Sequence, residues 1–277
     1  MTQRLAFDAA AASTIGAREN QEDCFAVDFS NDDSAGLAVL ADGMGGYSGG
    51  NAAAKFLVTG VAGELQADLE NFNKSELKLS QKLNDLTHVA NERLGDFIEQ
   101  RGNGKKMGAT LLTVAVSRNR MFWASVGDSA LYVYRDGVLT RLNEDHSMSA
   151  EIDFMVKMGM MSEEKGRDHP NRSILTSAVH GKEIKKIDNP TRPFVLEMDD
   201  IILLASDGLS SISKEKVEDV MAHSLFGESI DMTQEILTAI SDQRVADQDN
   251  ATVIVIRVVP ASEAADLTSD QQMAQYG

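Results

Sequence analysis

The most apolar segments of this chain are short, and they end on aspartate. Residues 37–41 run into Asp42-Gly43, and residues 201–205 pass through Ser206 into Asp207-Gly208. Residues 123–126 lead into Gly127-Asp128-Ser129, and Asp249-Asn250 stands just before the apolar run that starts at Thr252. Apolar runs of this length, bounded by turn residues, read as buried strands and fall far short of the roughly 18 residues of a membrane span. A single Asp-Gly step is an ordinary turn. Four carboxylates at the ends of buried strands constrain the fold further. Gathered at one edge of a packed sheet, they would repel each other and push their pKa values up unless cations neutralise them. Hard oxygen ligands select Mg²⁺ or Mn²⁺ rather than zinc.

The rest of the chain supplies the frame. Strand-like segments at 10–15, 24–29 and 37–41 precede two stretches of helical periodicity, 51–69 and 75–100. Strands return at 110–116, 121–126 and 131–134, and Asp136-Gly137 signals a hairpin into 138–142. Residues 146–172 are irregular and Met-rich. Strands at 194–196 and 201–205 follow, then helices at 213–225 and 230–241 and a last strand at 252–259. Strands in blocks with helix pairs between them argue an α+β fold rather than regular βαβ alternation. The reading is one domain over 1–260. Residues 261–277 carry three acids and no bases and read as a disordered acidic tail.

Composition excludes several classes. The 277 residues hold 26 Lys+Arg against 43 Asp+Glu, a net charge of −17. That balance argues against a nucleic-acid partner and against attraction to anionic lipid. Cys24 is the one cysteine, so the chain forms no internal disulfide and no thiolate zinc cluster. With no apolar leader and no long apolar run, the expectation is a soluble cytoplasmic protein without membrane insertion, acting as a monomer.

A second polar cluster precedes the first Asp-Gly pair: Arg18-Glu19-Asn20-Gln21-Glu22-Asp23. It reads either as a charged turn or as a functional set, with Arg18 a fork for phosphate and Glu22 and Asp23 further acids around a metal. The stretch from Gly43 to Gly50 fails the dinucleotide pattern at Ser48. It fails the P-loop pattern too, since Asn51-Ala52 replace the Lys-Ser/Thr pair. A tight turn offering a backbone carbonyl to a metal suits it better.

Seven ordered motifs now carry a resemblance: Arg18 to Asp23, Ala41-Asp42-Gly43-Met44-Gly45-Gly46, Gly108-Ala109-Thr110, Gly127-Asp128-Ser129, Asp145-His146-Ser147, Ser206-Asp207-Gly208 and Asp249-Asn250-Ala251-Thr252. In this order the chain resembles the bacterial branch of the metal-dependent protein Ser/Thr phosphatases, the PPM or protein phosphatase 2C-type family, over about residues 3–259. The resemblance implies a four-layer αββα sandwich: two antiparallel sheets face to face, a helix pair outside each, and metals at one edge. It implies that Asp42 bridges two metals (Mg²⁺ or Mn²⁺), that the Gly43 carbonyl binds one of them, and that Asp207 and Asp249 serve the other. Glu22 would hold metal-bound water, with Asp23 nearby, and Arg18 would bind phosphate. Asp128 with Asp207 would form a weaker third site. The implied reaction is direct attack of a metal-bridging hydroxide on the phosphorus of phosphoserine or phosphothreonine in proteins, reversing a partner kinase in bacterial signalling. Residues 156–181 resemble the family's flap, where His169 and Arg172 are candidate substrate contacts.

The chain departs from that pattern at Tyr47 and Gly50, where bacterial members usually have His and Glu, and at Ala130 and Ser177, where Arg is common. None of these removes a metal ligand, and the general acid is left unassigned between a water and His169. A second class stays open: a phosphatase fold without turnover that only binds a partner. His146 reads as fixing a turn, Cys24 as buried and inert, and the methionines at 155, 158, 160 and 161 as core filling or flap contact.

Overall fold

Alternation along the strands decides the architecture. The computed structural model describes residues 5–29, 35–45, 49–74, 76–101, 107–167, 169–225 and 227–261. One sheet runs in the order β1 (Leu5–Thr14), β11 (Ala251–Pro260), β10 (Ile201–Ala205), β7 (Ala130–Arg135) and β8 (Val138–Arg141). The other runs β2 (Asp23–Asp28), β3 (Ala35–Met44), β5 (Leu111–Ser117), β6 (Arg120–Val126) and β9 (Phe194–Val195), with the two-residue β4 (Gly108–Ala109) paired to the end of β3. Every pairing is antiparallel.

The central strands β3, β5, β10 and β11 are apolar along most of their length because both of their faces are covered. Ala38, Leu40, Ile202, Leu204, Ile254 and Ile256 face the core between the sheets. Their neighbours Leu37 and Val39 instead meet α1 (Gly49–Gln66) and α2 (Glu76–Gln100) through Leu57, Val61, Leu83 and Leu94. On the opposite side Leu203, Val253 and Val255 meet α5 (Lys214–His223) and α6 (Ser229–Asp242) through Val217, Met221, Met232, Ile236 and Ile240. The result is the four-layer αββα sandwich. Two short helices, α3 (Met148–Lys157) and α4 (Glu163–Arg167), form the insert between β8 and β9.

Three sequence expectations need correction. The first strand begins at Leu5, not residue 10. Asp8 fits within this strand because its Oδ2 accepts hydrogen bonds from Ser229 N (2.8 Å) and Arg257 Nη1 (3.4 Å). The third strand does not turn at Asp42-Gly43 but runs on to Met44, since Gly43 and Met44 pair with Ala109 and Gly108. Met158 and Met160 are exposed, so of their two readings, core filling or flap contact, core filling is excluded. Residues 262–277, and Tyr47, lie outside the described residues.

Candidate active site

The Asp42-Gly43 and Asp207-Gly208 pairs are sites of close backbone approach, and neither glycine has a positive φ. A Cβ at Gly43 would stand 2.3 Å from the Gly50 carbonyl oxygen and 2.6 Å from that of Glu22. A Cβ at Gly208 would stand 2.1 Å from the Asn250 carbonyl oxygen. These glycines let the start of α1 and the entry to β11 press directly against the strand ends that carry Asp42 and Asp207. Gly50 has the same role from the other side, because a Cβ there would lie 2.6 Å from Glu22 Oε1 and 2.7 Å from the Gly43 carbonyl oxygen. In this fold position 50 has no room for a side chain beside that carbonyl.

The packing collects the acids at one edge. Asp23 and Asp42 are direct cross-strand partners on β2 and β3. Asp128 follows β6, Asp207 opens the single 3-10 turn after β10, and Asp249 precedes β11. Burial, and then the charges of Asp23, Asp207, Asp128 and Asp249, hold the Asp42 carboxyl well above the usual carboxylate range. Asp207 is pushed up to about 7 by burial and then by Asp128 and Asp249, with Arg18 opposing. Asp128 is pushed up to about 6, by burial first and by Asp145 second. Burial and Asp249 also raise Glu22. Two arginines oppose this rise: Arg18, whose Nη2 donates to Asp249 Oδ2 at 2.5 Å, and Arg141 beside Asp128.

Asp23 stands apart from the rest. Its Oδ2 accepts from Ser206 Oγ (2.8 Å) and Thr252 Oγ1 (2.7 Å), tying β2 to β10 and β11, while its buried Oδ1 has no hydrogen-bond donor. An all-oxygen donor set, raised carboxyl pKa values and an orphaned buried carboxylate oxygen together fit hard divalent cations. Among the described residues no three His, Cys, Asp or Glu side chains are already closed into a metal-holding group.

Asn250 and Thr110 stand in the seven ordered motifs, but what they and Arg141 hold in place was not legible in the sequence, because their partners are remote. Asn250 donates through Nδ2 to the carbonyls of Ile15 and Asn20 and accepts from Glu22 N at 2.8 Å, stitching the Arg18–Glu22 loop to β11. Thr110 Oγ1 accepts from Asp42 N (2.9 Å) and shares a hydrogen bond with Ser129 Oγ (2.8 Å), so one hydroxyl links the Asp42 strand to the Asp128 turn. His146 Nδ1 accepts from Gly127 N at 3.3 Å and Arg141 Nη2 donates to the Asp128 carbonyl at 2.9 Å, which bears out His146 as a turn holder. The general signal available was only that polar residues cluster beside the Asp motifs.

The insert reaches the same place. A groove of about 450 Å³ runs from Asp128 and Asp207 to Asp153, Arg172 and Ser173, with Ala130, Arg141 and Lys214 among its other walls. Arg172 is engaged by Asp153 in a bidentate pair (2.7 and 3.0 Å), and His169 is absent from the groove's lining residues. Ser177, where the resemblance expects Arg, is buried and bonds the backbone of Lys186 at both N and O. Cys24 is buried with its thiol pushed up by that burial, which fits an inert residue. A second cavity, about 580 Å³, lies between α1 and α2 with Phe56 and Phe97 in its walls, away from the gathered acids.

A family model for protein phosphatase 2C matches residues 12–248. The chain belongs to the protein phosphatase 2C family. A putative protein phosphatase 2C-type protein of Streptococcus pyogenes is 29% identical over 244 residues, covering 87% of this chain and 94% of that one. The Mycobacterium tuberculosis serine/threonine protein phosphatase PstP is 30% identical over 83% of this chain, which spans 42% of that protein's length. The structure of the PstP catalytic domain with two manganese ions superposes with a TM-score of 0.74 at 26% identity, covering 92% of this chain and 99% of that one. This chain is therefore a protein serine/threonine phosphatase with the fold of the bacterial phosphatases.

Proposed function

We propose that the edge bearing Asp42, Asp128, Asp207 and Asp249 is the catalytic centre, where phosphoserine and phosphothreonine in proteins are hydrolysed with no phosphoenzyme. The observation that carries the reading is the convergence of these carboxylates, each raising the pKa of Asp42. Asp42, Asp207, Asp249 and the Gly43 carbonyl would hold two cations, Mg²⁺ or Mn²⁺, with Asp128 and Asp207 offering a weaker third site. Bound there, such ions would lower the pKa of water to near neutral and offset the charge of the phosphoryl group.

The protein's own groups do the rest. Arg18 is exposed enough to swing from Asp249 to a phosphoryl oxygen, where charge collects in a loose transition state. Glu22, with its raised pKa, lies beside Gly43 and Gly50 as an acceptor for a water proton. Asp23 keeps β2, β10 and β11 in register behind Asp42 through Ser206 and Thr252. A solvent water supplies the leaving-group proton, since His169 does not line the groove. Phosphoproteins made by a Ser/Thr kinase are the substrates, and the enzyme works as a cytoplasmic monomer. No helix among the described residues is long and apolar enough to cross a membrane.

Manganese-dependent hydrolysis of p-nitrophenyl phosphate and of a phosphothreonine peptide tests this. Asp42→Ala is expected to lower kcat/KM by on the order of 10²–10³-fold or more. Full activity in that variant would place the chemistry elsewhere.

A further inference from the structure

The three most exposed large apolar side chains among the described residues lie within one seven-residue stretch: Phe154 at 61%, Met158 at 61% and Met160 at 74%. Single exposed apolar residues are ordinary on a protein surface, but a cluster of this kind marks contact with something else. Met158 caps the C-terminus of α3 and donates its backbone N–H to the Phe154 carbonyl at 3.0 Å, so it follows Phe154 by one turn on the same side. The opposite face anchors the helix. Ile152 is buried, and Val156 packs where a Cβ on Gly166 would stand. The exposed face is thus held out by the packing of the inner one.

Its place in the fold says what covers it. Asp153, the chain neighbour of Phe154, is a wall of the groove whose far end is Asp128 and Asp207. Ser173 is another wall, and its neighbour Ile174 is 51% exposed. A groove of about 450 Å³ admits a side chain and a few backbone atoms, not a folded domain. The polypeptide that carries a phosphoresidue to the acid edge must continue outside it, over the α3 rim. Methionine's unbranched, polarizable side chain adapts to partners of differing shape, which suits an enzyme acting on several sequences.

We propose that Phe154, Met158 and Met160 form a docking face for a bulky apolar side chain flanking the phosphoresidue of the protein substrate. The proposal rests on the acid edge being the catalytic centre. Its test compares two phosphothreonine peptides that differ only in leucine against serine at positions flanking the phosphoresidue, with p-nitrophenyl phosphate as a substrate too small to reach the rim. The wild-type protein with Mn²⁺ should favour the leucine peptide by about tenfold in kcat/KM, the scale of partly burying one leucine. In the variant Phe154→Ser/Met158→Gln/Met160→Gln that preference should vanish through KM, while turnover of p-nitrophenyl phosphate stays within about twofold. No preference in the wild type, or a preference the variant retains, would overturn the proposal. So would sedimentation showing the wild type dimeric and the variant monomeric at assay concentration, because a second copy would then own the face. Inactivity of the wild type on p-nitrophenyl phosphate as well would overturn the catalytic reading and the docking face with it.

Discussion

Thr110 shows how much of the centre depends on uncharged residues. Its hydroxyl is the acceptor for Asp42 N and the partner of Ser129 Oγ, and it is buried. Thr110→Val keeps the shape but leaves the Asp42 N–H without an acceptor, at a cost of about 1–3 kcal/mol. Chemical denaturation should show that loss, calorimetry should show weaker Mn²⁺ binding, and Thr110→Ser should restore both. The aspartates themselves were legible in the sequence because each ends an apolar run. The hydrogen-bonding roles of Thr110, Asn250 and Arg141 were not, although the first two stand in the ordered motifs, because their partners lie at remote positions: Asp42 in the first case, Glu22 in the second, the Asp128 carbonyl in the third. A hydrogen bond that closes over such distances leaves no local pattern. The exposure of Met158 was hidden for a related reason, since helical spacing says that a face exists but not whether anything covers it.

Elements carry a second set of consequences. The 3-10 turn that opens at Asp207 is seated against β11 only because residue 208 lacks a side chain. Gly208→Ala would drive a Cβ into the Asn250 carbonyl and the Ala251 side chain, so it should destabilise the fold by about 1–3 kcal/mol and displace Asp207. A lower denaturation midpoint together with reduced activity at saturating Mn²⁺ would verify this. Gly137→Ala makes the comparison sharper. Nothing lies within 4 Å of a Cβ there, so its cost comes only from the positive φ of 82°. It should leave the activity of the folded protein unchanged. Strand and helix positions could be read from the sequence to within a few residues because burial on both faces gives unbroken apolar runs. The extension of β3 through Asp42-Gly43 could not, since it depends on pairing with Gly108 and Ala109.

At the scale of the whole molecule, the −17 net charge matters less than where a handful of acids sit. Asp42, Asp128 and Asp207 keep their protons to higher pH in the folded chain than in the unfolded one. A raised folded-state pKa contributes stability that is complete below the ordinary carboxylate range. That contribution is lost as pH rises through about 6 for Asp128 and about 7 for Asp207. The metal-free protein should therefore melt at lower temperature at about pH 8 than at about pH 5. Saturating Mn²⁺ should reverse the trend, because the cation replaces the protons and its binding releases them. A metal-free melting temperature that rises across this window would mean that the carboxylates are already compensated.

The account stands or falls on whether the edge where the strands end is a metal centre. Anomalous diffraction from crystals grown with Mn²⁺ measures this most directly. It should show manganese bound to the Asp42 carboxylate, with Asp207, Asp249 and the Gly43 carbonyl completing the two principal sites. Crystals of Asp42→Ala should lack those peaks while keeping the fold. Manganese bound elsewhere, or an Asp42 edge left without density at concentrations that support full activity, would contradict the central claim.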